Sequence, residues 1–332
     1  MDKVLYFPYM SIPDNTTWAL QILFYWDELQ CIIPYSYINR PDELSPFTQN
    51  LLQEGLLKQI HPEEYIYSIR DFDKNFMDYI DHKSSNSSNI AKSSRYERIH
   101  MGKMSNIGQG LVEYGLAFQS KEWFCVEENT ATEFMTYLAS VLSKKTDAVP
   151  LTDTFKGLSG FVMDSNYSTI SMRNKLRNSI LPSLMPIPSH INDLYSIQKF
   201  KKKNHTELVA FRNHIEQFIF DLENTPKDQQ NERKQRFIQS SEEQRKAIYD
   251  NMRFSFSDVT FVTLCSLLSA AFPAVDAYAA NNPVELGKSI PSLMGAIYSI
   301  YANNKQHRDP MAPLAYAAYI DKRFNKRSHR NV

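Results

Sequence analysis

Residues 3–34 read KVLYFPYMSIPDNTTWALQILFYWDELQCIIP. Val4, Leu5, Tyr6 and Phe7 form an apolar, aromatic run with strand character, and Pro8 stops it because proline has no N–H for a ladder. An unbroken run of this kind suits a strand covered on both faces, as in a parallel sheet. Pro13, Asp14 and Asn15 bring turn chemistry and a helix cap. Trp18, Ile22, Tyr25, Trp26 and Leu29 then recur at helical spacing, so one stripe can lie on the strand. Cys31, Ile32 and Ile33 resume strand character until Pro34. The stretch predicts a strand–helix–strand unit.

The same alternation continues outward. A helix is expected from Ser45 to a C-terminal glycine at Gly55, followed by a strand over 56–60 and a helix over 63–80. Residues 82–94 are rich in Ser, Asn and Lys and read as a loop. Strands over 98–103, 123–126 and 148–151 alternate with helices over 105–114 and 130–142. Leu51, Leu52, Gly55 and Leu56 match Leu111, Val112, Gly115 and Leu116 in spacing, which points to a repeated helix–glycine–strand construction. Residues 1–157 are therefore expected to form an α/β domain, a mostly parallel sheet with flanking helices.

Residues 158–188 hold prolines and serines in an irregular order and read as a linker. Residues 189–332 are helical in pattern throughout. Over 204–250 a helical pair is expected: Thr206 caps an arm carrying Leu208, Phe211, Ile215, Phe218 and Leu222, and Thr225–Pro226 opens a second, highly charged arm. This pair suits docking of a protein partner or of a second copy. Residues 259–304 carry only Asp276, Glu285 and Lys288 as charges and read as an apolar hairpin. Each arm is shorter than the roughly 20 residues that cross a bilayer, so burial in the helical domain is expected ahead of release onto a membrane. Lys322, Arg323, Lys326, Arg327 and Arg330 make a basic tail suited to phosphates of nucleic acid or lipid.

The 332 residues balance 37 basic against 37 acidic side chains, so no global field draws the chain to nucleic acid or membrane. The nine glycines include no phosphate-cradling motif. Cys31, Cys125 and Cys265 are far apart in apolar contexts, as reduced core thiols of a cytoplasmic protein would be, and give no zinc spacing. With acidic Asp2 and early prolines, the N-terminus does not read as a signal peptide. The motifs identify no cofactor.

Ligands gather at the carboxyl ends of parallel strands. Tyr9, His100, Lys103 and Asp153 are the candidate catalytic residues there, a neutral His beside a Lys being suited to acid–base chemistry. Asp14, His61 and Thr152 are candidate ligand-binding residues at the same ends.

LYFPYxxIPxxxxW at 5–18, YWD at 25–27, EGLLKQIHP at 54–62, RIHMGK at 98–103, EFMTYLAS at 133–140, PLTD at 150–153 and FKKKNHTELVAFR at 200–212 together resemble an uncharacterised bacterial family, a domain of unknown function. The resemblance implies an accessory bacterial role, with antiviral defence as the associated setting, and it brings no site residues with it. Two functions are expected. One is an interaction or effector protein with a sensing α/β domain and a helical output domain. The other is a hydrolase acting on a nucleotide or nucleic acid through the strand-end residues.

Overall fold

A computed structural model describes residues 2–13, 16–86, 95–153, 165–187, 193–254 and 313–324. Asp14, the apolar stretch 259–304, and Lys326, Arg327 and Arg330 lie outside the described residues. The chain divides into two compact units, Met1–Asn174 and Lys175–Val332.

In the first unit, β1 (Lys3–Tyr6) leads to α1 (Thr16–Tyr25) and β2 (Glu28–Ile32). α2 (Pro46–Gln53), β3 (Leu57–Ile60), α3 (Pro62–Ile66) and α4 (Phe72–Asn86) follow. Next come β4 (Tyr96–His100), α5 (Ile107–Glu113), β5 (Ala117–Ser120), β6 (Trp123–Glu127), α6 (Glu128–Thr146) and β7 (Ala148–Leu151). β1, β2, β3 and β7 form a wholly parallel sheet in the order β3-β2-β1-β7. Val4, Leu5 and Tyr6 are fully buried, as a strand covered on both faces requires. Pro150 is tolerated in β7 because that strand is an edge and pairs only with β1.

The remaining strands depart from the sequence expectation. β4, β6 and β5 form a separate antiparallel sheet, in that order. Only Lys121 and Glu122 join β5 to β6, and so short a connection leaves antiparallel pairing as the only choice. Lys121 takes a left-handed φ of 56° at this turn without the Gly or Asn that marks hairpins in sequence.

α6 is common to both sheets and packs against β1, β4, β6 and β7. Phe134, Leu138 and Leu142 are fully buried along it, each contributing about 2 kcal/mol by removal from water. The repeated helix–glycine–strand construction is present as twin helix ends. Gly55 and Gly115 take φ of 65° and 67°. Leu56 N–H donates to Leu51 O and Leu116 N–H to Leu111 O, both at 2.9 Å, while each glycine N–H bonds a carbonyl three residues back. That pairing is the Schellman arrangement, and glycine meets its left-handed residue without Cβ strain. The expected helix over 63–80 is broken into α3 and α4, with Asp71 at φ 56° starting the second piece.

The expected linker is mostly helical: α7 (Ser165–Leu184) takes 20 residues of it, with Pro182 in its last turn. In the second unit, α8 (Tyr195–Lys203) incorporates the basic run 199–203, and α9 (His205–Glu223) buries Leu208, Phe211, Ile215, Phe218 and Leu222. Thr206 lies inside α9 rather than at its cap. α10 (Lys227–Phe254) packs against α9 and against the helix Ala315–Phe324, which holds Lys322 and Arg323. Phe237 of α10 stacks on Phe218 at 3.7 Å between ring centres. Thr225 does not cap α10; its hydroxyl donates back to Asp221 O at 2.9 Å.

Candidate functional site

The parallel sheet runs outward from β1 to β2 and β3, and the chain then returns to place β7 on the other side of β1. The crevice beyond β1 and β7 is thus the topological switch point, where ligands of open α/β sheets bind. A cavity of about 520 Å³ opens there. Phe7–Met10 follow β1 into its wall, Thr152 follows β7, and the end of β4, Trp123 and the first turns of α6 complete it. Volumes of roughly 300–1,000 Å³ are usual for small-molecule sites.

Tyr9, His100, Lys103 and Thr152 all line this cavity, though they come from three separate parts of the sequence. Asp153 is not in the lining; its carboxylate accepts from the Tyr6 hydroxyl at 3.0 Å. Burial, then the Asp153 charge, push the Tyr6 phenol far above its ordinary pKa. His61 stands apart from the lining: its ring stacks on Tyr35 at 4.6 Å and its Nδ1 lies 2.8 Å from Ile33 O.

Lys103 is 3% exposed and sits in the short 3-10 turn Met101–Lys103, not in a strand. Its Nζ donates to Pro8 O at 3.2 Å, and no carboxylate among the described residues stands within ion-pair distance. Desolvation holds its pKa down to about 8, with the Cys31 thiol and Glu63 working against the shift. Gly102 beside it is a close approach: a Cβ there would lie 2.3 Å from Glu63 Oε1 and 3.0 Å from Pro34 Cβ.

His100 ends β4, 4% exposed, with Trp123 and Tyr37 edge-on to its ring. Its Nδ1 accepts from the Gly102 N–H at 3.1 Å, which places the proton of the neutral ring on Nε2. Among the described residues Nε2 has no hydrogen-bond partner; Glu122 Oε2, at 3.8 Å, is beyond reach. Burial, only partly opposed by Glu122, lowers the His100 pKa, so the ring is neutral at pH 7.

Arg98, Glu97, Trp123 and Glu128 are site residues that strand-end reasoning passed over. The Arg98 guanidinium lies 4.5 Å over the Trp123 ring. Trp123 in turn touches His100, so Arg98, Trp123, His100 and Lys103 form one contiguous wall with cationic character. Tyr9 belongs to the opposite character. Its hydroxyl is pushed above the usual phenol range by burial and then by Glu97, Asp153 and Glu128. The cavity is therefore bipolar. The α6 N-terminus beside it is already capped, since Glu127 accepts from Thr130 N–H at 2.9 Å and Thr130 Oγ1 at 2.8 Å.

Outside the lining, the Cys31 thiol donates to Tyr9 O and Met10 O, both at 3.5 Å. Lys103 and Cys31 thus hold the carbonyls of residues 8–10. Among the described residues no group of three or more His, Cys, Asp and Glu is arranged to hold a metal ion. No helix among them is long and apolar enough to cross a membrane. No family model, curated protein or solved structure matches the chain.

Proposed function

We propose that the α/β unit is a sensing module that binds a small anionic ligand of the nucleotide class in the switch-point cavity without turning it over. The helical unit passes the bound state to a protein partner or a second copy through residues 204–250. The setting we propose, on the resemblance alone, is that of an effector in bacterial antiviral defence.

The observation that carries the binding reading is the bipolar lining of the cavity. A buried ammonium needs counter-charge, and Lys103 has one carbonyl acceptor for three N–H donors. A ligand phosphate supplies that charge, with Arg98 as a further donor on the same wall. Glu97 and Glu128 on the Tyr9 side are acceptors for the exocyclic amino group of a base. Trp123 and Tyr9 offer aromatic surface to its ring.

Hydrolysis of a nucleotide or nucleic acid by Tyr9, His100, Lys103 and Asp153 is the second reading. It is supported by the depressed pKa values of the neighbouring His100 and Lys103. The His100 lone pair, however, is committed to Gly102 N–H, which leaves the ring a donor and not a base.

A thermal-shift series against mononucleotides, with chromatography of the incubated ligands, separates the two. A raised melting temperature with ligand recovered intact supports sensing. Conversion that is lost in His100→Gln supports hydrolysis. No shift with any mononucleotide removes both.

A further inference from the structure

The cavity wall continues onto an open surface. Strand register puts Tyr96, Arg98 and His100 of β4 on one face with Trp123 and Cys125 of β6 and with Phe118 of β5. The other face carries Ile99, Phe124, Val126 and Ala117, all buried in the core. On the outer face Tyr96 is 47% and Phe118 51% exposed. Their rings meet edge-to-face at 5.3 Å, although their strands are not neighbours, so they bridge over β6. One step along the sheet, Arg98 covers Trp123.

The charge of this surface is positive. Among the described residues Arg98 makes no ion pair, and at the β5–β6 turn exposed Lys121 stands beside Glu122, whose charge is offset by Arg40 at 3.0 Å. The one carboxylate on the face, Glu127, is 2% exposed and occupied in capping α6. No Leu, Ile or Val lies on it. A flat platform of aromatic rings with an arginine, lacking aliphatic side chains, fits stacked bases and their phosphates better than it fits an apolar protein surface. The two stacking stations are two residues apart, roughly 7 Å along a strand, which is within the reach of one extended nucleotide.

We infer that the ligand is the end of a single-stranded nucleic acid, its terminal nucleotide in the cavity and the next two bases stacked on the Arg98–Trp123 station and on the Tyr96–Phe118 pair. This rests on the nucleotide reading of the cavity and names the polymer that carries it. Cytidine has the amino group that Glu97 or Glu128 would accept from, so the probes are dCMP and oligodeoxycytidylates of two, three and six residues.

The test is competition of these probes against a fluorescein-labelled hexamer on the full chain, read by polarisation at constant salt. Affinity is expected to rise about tenfold or more for each of the two added bases and then to level off. Tyr96→Ser with Phe118→Ser is expected to cost the trimer at least tenfold and to leave dCMP binding unchanged. Phe118→Ser alone gives the same comparison if the double variant misfolds. A trimer that binds no tighter than dCMP overturns the inference and leaves the mononucleotide site standing. So does a double variant that retains the full gain with length. A trimer that binds equally well to Lys103→Met detaches the polymer from the cavity and overturns the inference as well. Absence of binding by every probe overturns it, and the cavity reading is then decided separately by the mononucleotide thermal-shift series.

Discussion

At the scale of single residues, Lys103 sets the pH behaviour of the site. Its folded pKa of about 8 lies below the ordinary 10.5. Below pH 8 both states are protonated, and burial of the ammonium weighs fully against folding. Between pH 8 and 10.5 the unfolded chain binds the extra proton, so stability rises with pH across that window. Urea unfolding of Lys103→Met is expected to show a gain over wild type at pH 7, up to roughly 3 kcal/mol, that shrinks by pH 10. An unchanged gap between the two pH values would contradict this assignment of the lysine. Binding follows the opposite sign: a phosphate favours the ammonium, so affinity falls as pH rises through about 8, and Lys103→Met abolishes both the binding and its pH dependence. RIHMGK made His100 and Lys103 readable as a pair after a strand. Their position beside Tyr9 does not come from the parallel-strand rule, since His100 ends β4 of the antiparallel sheet and Lys103 lies in the turn after it. Arg98 and Trp123 were not readable in that way, because they enter the cavity from the antiparallel sheet, whose pairing depends on a turn with no Gly or Asn.

At the scale of elements, two contacts carry consequences. Gly108 lies where α5 meets β6, and a Cβ there would come within 2.4–2.6 Å of the Phe124 ring. Gly108→Ala is expected to cost about 1–3 kcal/mol, measured by urea unfolding, since the packed ring has to move. In the α9–α10 pair, His214 packs at 5.1 Å from Phe237, and burial pulls its pKa down from 6.5 to about 4. The neutral ring therefore contributes fully above pH 6.5, and that contribution is lost as pH falls towards 4. His214→Phe should flatten the acid side of the stability profile; an unaltered profile would remove the histidine from its cause. The parallel sheet was legible because Val4–Phe7 and Cys31–Ile33 are continuous apolar runs, and the twin helix ends because Gly55 and Gly115 occupy the left-handed position. The break between α3 and α4 was not, because Asp71 takes a positive φ that sequence assigns to glycine. α7 was hidden by its serines and by Pro182, which a helix tolerates near its end.

At the scale of the whole molecule, the sensing proposal joins two units that are each compact. Hydrogen exchange on the full chain, with and without nucleotide, is the matching measurement. Slower exchange is expected over 7–10 and 97–103, and a change over 205–254 accompanies it if the helices read the bound state. Protection confined to the first unit would separate binding from output. Cys31 adds a direct readout. Its thiol has no exposed surface, burial raises its pKa to about 12, and it donates to the carbonyls of Tyr9 and Met10, which line the cavity. In a chain with Cys125 and Cys265 changed to serine, iodoacetamide reaches that sulfur only when the packing around it opens, the 8–10 segment that it holds included. The alkylation rate becomes a stopwatch for how often the vestibule breathes, and saturating nucleotide is expected to slow it.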